Sequence, residues 1–155
     1  MTTNRMDTHQ WDSSLDPEVV PLFLALQWVQ SRSLAALKEP LVKHGVSMAE
    51  FDVLATLRNA PAPHEMTPKE LQDEVVITSG GLTKVMFQLE SRDLVQRLQR
   101  ELDLRIKPVR LTAKGKAVIE KSMAEMVATT GSWIRESLDA GQIKQLTALL
   151  GKITN

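Results

Sequence analysis

The chain has 155 residues, 43% of them hydrophobic and 25% charged, and its 19 Lys plus Arg balance 19 Asp plus Glu. This is the composition of a globular protein, not of a disordered chain, which needs low hydrophobicity or high net charge. With no cysteine, disulfides, thiolate zinc sites and thiol redox sensing are excluded, and zero net charge argues against a polycation that coats nucleic acid indiscriminately.

Residues 1–15 are polar and lack periodicity, which predicts a mobile arm with Trp11 as its docking residue. The arm has no apolar stretch, so it does not read as a secretory signal, and no run of about 18 apolar residues follows anywhere. A cytoplasmic protein is the expectation. Asp16-Pro17-Glu18 combines an N-cap residue, a proline and an acid, a helix start. The helix is expected to run to about Leu37. Val19, Leu22, Phe23, Leu26, Val29 and Leu37 fall near helical spacing, and Val20, Leu24 and Trp28 widen the apolar surface beyond one stripe. Such a helix needs more cover than one face of its own domain supplies, from a core or a second subunit.

Gly45 closes a short turn. Ser47-Met48-Ala49-Glu50 is a capping box opening a helix through Phe51, Val53, Leu54 and Leu57, which Asn59-Ala60-Pro61-Ala62-Pro63 ends. Thr67-Pro68-Lys69-Glu70 is a second box, opening a short helix to about Val76. After a connection of about two residues, Thr78-Ser79-Gly80-Gly81 begins another helix, with Leu82, Val85, Met86 and Leu89 toward the core. Two β-capable runs, Leu94–Gln99 and Arg105–Leu111, flank a charged tip and predict a hairpin. Pro108 lies in the second run and marks it as an edge or bulged strand, because proline has no ladder donor. Thr112 caps a helix to about Leu138, with a possible break at Thr129-Thr130-Gly131. Asp139 and Gln142 open a last helix with a stripe of Ile143, Leu146, Leu149, Leu150 and Ile153.

The charge is unevenly spread. Residues 1–66 hold five basic and eight acidic side chains, whereas Lys84 to Arg110 hold seven basic and four acidic ones, a local +3. This basic stretch coincides with a helix, a tight turn, a second helix and a hairpin within about 45 residues. That is the order of a winged helix-turn-helix, in which the second helix enters the major groove and the hairpin reaches a flanking minor groove or its phosphates. Ser79, Gly80 and Gly81 leave room for close approach to DNA. Thr83, Lys84 and Gln88 project on the polar side, and Phe87 lies next to that face, where polarity is expected.

Residues 45–120 resemble the MarR family of transcriptional regulators. The carrying residues are Glu50-Phe51-x-Val53-Leu54, Thr67-Pro68-x-Glu70-Leu71, Thr78-Ser79-Gly80-Gly81-Leu82-Thr83-Lys84, Leu89-Glu90 with Leu94-Val95-x-Arg97, Asp103-x-Arg105, and Leu111-Thr112-x-x-Gly115. The resemblance implies a mainly α fold with a small β-wing, organised as the arm (1–15), an N-terminal dimerisation region (16–44), the winged helix-turn-helix (45–112) and C-terminal dimerisation helices (113–155). It implies a homodimer with intertwined terminal helices, bound to a near-palindromic double-stranded operator and released by a small-molecule effector, with an aromatic one as an option. The implied DNA contacts are Ser79, Gly80, Thr83, Lys84 and Gln88 on the helix and Arg100, Asp103, Arg105 and Lys107 in the wing, where Asp103 shapes the loop. Trp28 and His44 are the candidate effector contacts. Asp93 stands where the family usually has a turn glycine; Asp tolerates left-handed geometry, so the turn is expected to survive.

Plainer roles compete with these. Trp11, Trp28 and Trp133 suit core or dimer packing, and the seven methionines suit adaptable packing. His9, His44 and His64 are too few and dispersed for a metal site, and no cofactor is implied. No nucleophile with a base, nor a carboxylate pair in a defined setting, points to an enzyme. The alternative function is a winged-helix module that binds protein and not DNA; the Asp103-x-Arg105 pair and the small residues at 79–81 favour DNA.

Overall fold

The computed structural model describes residues 9–10, 15–75, 77–99 and 107–154. Trp11 and the wing-tip residues Arg100, Asp103 and Arg105 lie outside them. Six helices and a three-stranded antiparallel sheet are present among the described residues: α1 Val19–His44, α2 Met48–Asn59, β1 Glu65–Met66, α3 Pro68–Glu74, α4 Ser79–Ser91, β2 Val95–Arg97, β3 Val109–Leu111, α5 Ala113–Ser137 and α6 Ala140–Gly151. The chain divides into two compact units, with the boundary between Lys38 and Glu39. None of the described helices is long and apolar enough to cross a membrane.

In the first unit the helix start falls where Asp16 predicts it. The backbone N–H groups of Val19 and Glu18 donate to Asp16 Oδ1 at 3.1 and 2.9 Å, and these two bonds hold the carboxyl below its ordinary pKa. The helix does not stop near Leu37. It runs through Pro40 to His44, because one missing N–H removes only one bond from the ladder and both Pro40 and Leu41 are buried. Gly45 ends it with φ +62°. Its N–H reaches Val42 O and that of Val46 reaches Leu41 O, the paired bonds of a Schellman cap.

The core of the second unit is built around α2, whose Val53, Leu54 and Leu57 are fully buried. α2 touches α3, α4, β3 and α5. Leu71, Leu89, Leu94, Val109 and Ile119 complete the centre. The sheet order is β1-β3-β2, so β3 is central and not an edge. Pro108 does no harm because it precedes β3, is buried, and uses its carbonyl to accept from Leu98 N at 2.8 Å. The hairpin strands are three residues each, shorter than the β-capable runs. The link between α3 and α4 spans residues 75–78, longer than expected. α5 passes unbroken through Thr129-Thr130-Gly131, since an interior glycine weakens a helix by only about 1 kcal/mol. Asp93 adopts φ +57° and forms the same paired cap bonds as Gly45, from Asp93 N to Glu90 O and from Leu94 N to Leu89 O.

Candidate nucleic-acid interface

The turn between α3 and α4 is fastened from both sides. Thr67 and Glu70 form a reciprocal capping box at the start of α3. Gln72 Nε2 donates to Ile77 O at 2.7 Å across the turn. Thr78 Oγ1 then accepts from Gly81 N at 3.2 Å and caps α4. The apolar positions Leu82, Val85, Met86 and Leu89 are all buried and fix the rotation of α4 about its axis. Ser79, Gly80, Thr83, Lys84, Phe87 and Gln88 are consequently exposed together on the opposite side.

This face is equipped to meet base edges. A Cβ on Gly80 would meet nothing within 4 Å, so its small size serves no internal contact and leaves space outward. Thr83 donates its hydroxyl hydrogen to Ser79 O at 3.0 Å, leaving the oxygen to accept from outside. Lys84 is exposed and makes no ion pair among the described residues.

The basic stretch from Lys84 to Arg110 resolves into two groups. Arg97 Nε reaches both oxygens of Glu90 at 3.0 and 3.1 Å, tying β2 to α4. Arg110 holds Glu65 at 2.8 Å between β3 and β1. Arg92 donates to Glu50 Oε1 at 3.0 Å and to Gly45 O at 2.7 Å, and its own carbonyl accepts from Lys114 Nζ. These three arginines hold the domain together. Lys84 and Lys107 stand exposed without such partners among the described residues. Glu50 is the residue whose part was hidden in sequence: its position in a capping box disguised a second role as a buried counter-charge 42 residues from Arg92.

The candidate effector contacts are in different compact units, each with partners of its own. In the first, Trp28 meets His9 edge-on with ring centroids 5.2 Å apart. In the second, His44 Nε2 lies 3.2 Å from Glu125 Oε1, which also accepts from Lys43 Nζ at 2.7 Å. The Lys43 bond holds Glu125 below its ordinary pKa; desolvation opposes it, and the weaker His44 bond adds to the lowering. A cavity of about 550 Å³ opens beside α2, β1 and α3, and Glu65, Glu70, Asp73 and Glu74 are among its lining residues. Neither Trp28 nor His44 lines it. Among the described residues no cluster of acidic or histidine side chains is arranged to hold a metal ion.

Two helices joined by a fastened turn, the second with an exposed polar face and followed by a β-hairpin, define a winged helix-turn-helix protein. The sequence profile of the MarR family matches residues 46–107. The chain is 30% identical over 147 residues to the HTH-type transcriptional regulator PecS of Dickeya dadantii, covering 93% of this chain and 88% of that one. It is 28% identical over 141 residues to the multiple antibiotic resistance protein MarR of Escherichia coli, covering 91% and 96%. A crystal structure of a serine-substituted MarR mutant from E. coli, complexed with operator DNA, matches with a TM-score of 0.73 at 27% identity and covers 91% of this chain and 100% of that one. The chain belongs to the MarR family and is a DNA-binding transcriptional regulator.

Proposed function

We propose that the protein acts in the cytoplasm as a homodimeric repressor. It binds a near-palindromic double-stranded operator and is released by a small-molecule effector, without catalytic turnover. The observation that carries the reading is the exposed face of α4, where Ser79, Gly80, Thr83, Lys84 and Gln88 stand together opposite the buried Leu82, Val85, Met86 and Leu89. Such a face suits a major groove, whose base edges carry a distinct donor and acceptor pattern for each pair. Lys107 and, from sequence, Arg100 and Arg105 supply the wing's charge toward the flanking groove, with Asp103 shaping the loop. That the related MarR mutant was crystallised in complex with operator DNA supports DNA binding by this chain.

A dimer places two α4 helices on half-sites about 34–36 Å apart, one turn of DNA. A ligand that changes this spacing weakens both contacts at once, which makes small-molecule release effective. Selection of bound sites from a random DNA pool tests the reading. The expected product is a palindrome with one-turn spacing. On the selected site, folded Lys84→Ala should lose on the order of 1–3 kcal/mol if Lys84 contacts a base, or lower the salt slope by about one if it contacts phosphate. Unchanged affinity and unchanged slope would remove Lys84 from the interface.

A further inference from the structure

The recognition helix carries one side chain that its polar face does not explain. Phe87 is 72% exposed, although a phenylalanine ring is usually hidden. Each helical residue turns the chain by about 100°, so Gly80, Lys84, Phe87 and Ser91 fall in one row along α4. That row is nearly opposite the centre of the buried set Leu82, Val85, Met86 and Leu89. Phe87 is therefore not an edge residue leaning onto the core. It stands at the middle of the outward face, between Thr83 and Lys84 one turn earlier and Gln88 beside it. Gly80, two turns earlier in the same row, presents no side chain and leaves open space, which lets the helix approach a surface closely enough for the ring to touch it.

We propose that Phe87 is a specificity-determining residue that packs against the C5-methyl group of a thymine in the major groove; this rests on the DNA-binding reading above. The thymine methyl is the apolar feature that a base pair offers there, and an aromatic ring is a suitable partner for it. The neighbours divide the work: Lys84 and Gln88 carry donors for acceptors on bases or phosphates, and Phe87 carries none. Left in water the ring is a liability, and against a methyl group both apolar surfaces are dehydrated together.

The test uses the full-length protein and the operator selected from the random pool. Each thymine of the half-site is replaced in turn by deoxyuridine, which removes only the methyl group. Wild type should lose about fourfold in affinity at one thymine per half-site, the value of burying one methyl-sized group. Phe87→Ala should be insensitive at that thymine while keeping the wild-type response at every other position. Because Phe87 touches solvent, the variant should fold and dimerise as wild type does. Identical responses of the two proteins at every thymine, or a selected half-site containing no thymine, would overturn the proposal and leave DNA binding intact. Failure to select any DNA would instead remove the functional reading and this inference with it.

Discussion

At the scale of single residues, Glu50 joins two jobs that the sequence displays separately. Its Oε2 accepts from Ser47 N at 2.8 Å and completes the cap of α2, while its Oε1 takes Arg92 Nη1 at 3.0 Å. Glu50 is buried and Arg92 is partly exposed, so solvent screens the pair from one side only. Replacing the carboxylate by an amide keeps an oxygen for the cap but removes the charge. Glu50→Gln should therefore cost about 1 kcal/mol, and Glu50→Ala, which loses cap and counter-charge together, about 3 kcal/mol. Urea unfolding of the three proteins checks the order. If Ala is no worse than Gln, the cap contributes nothing and the ion pair carries the whole effect.

At the scale of elements, the N-terminus of α5 is fixed against the start of the hairpin. Thr112 Oγ1 accepts from Gly115 N at 2.9 Å and donates toward the carbonyls of Asp93 and Leu94. A Cβ on Gly115 would collide with the Leu94 carbonyl, which is backbone and cannot swing aside. Helix propensity alone favours alanine over glycine by about 1 kcal/mol, but the collision opposes it, and overpacking of this kind costs about 1–3 kcal/mol or more. Gly115→Ala should lower stability despite its better propensity, measured as a fall in Tm; a rise would mean that α5 can shift away from β2. How much of this was legible in sequence depends on range. The boxes at Ser47, Thr67 and Asp139 could be read because their bonds span three residues, and all three form. The exposure of Thr83, Lys84 and Gln88 followed from helical period, but Phe87, expected beside that face, stands at its middle. β1 was missed because two residues carry no pattern and their partners Val109 and Arg110 lie over forty residues away. The basic stretch shows its charge in sequence but not its pairing: Arg92 and Arg110 are held by Glu50 and Glu65, which no local rule connects to them.

At the scale of the whole molecule, zero net charge and the assignment of three arginines to internal pairs leave few cations for DNA. Affinity must then come from doubling a small set of contacts, which makes the dimer necessary for tight binding. Each unit carries a surface suited to that role. Val19, Leu22, Phe23, Leu26 and Val29 are exposed on α1, and on α6 no residue is buried although Leu146 and Leu149 belong to its apolar stripe; Ile153, expected to continue that stripe, lies beyond the helix end at Gly151. A 12-residue helix is marginal alone in water, and none of the residues of α6 is fully buried within the protomer. A second copy would supply the missing cover. Leu149, 52% exposed in the protomer, tests this. Glutamate there meets water in a monomer and costs the single chain little, but in a dimer it places a carboxylate in an apolar interface. Leu149→Glu should sediment as a monomer, lose helical circular dichroism in proportion to α6, and bind the full operator no more tightly than an isolated half-site. A variant that stays dimeric with undiminished operator affinity would exclude α6 from the interface and leave α1 as the surface to examine by the equivalent Phe23→Glu change.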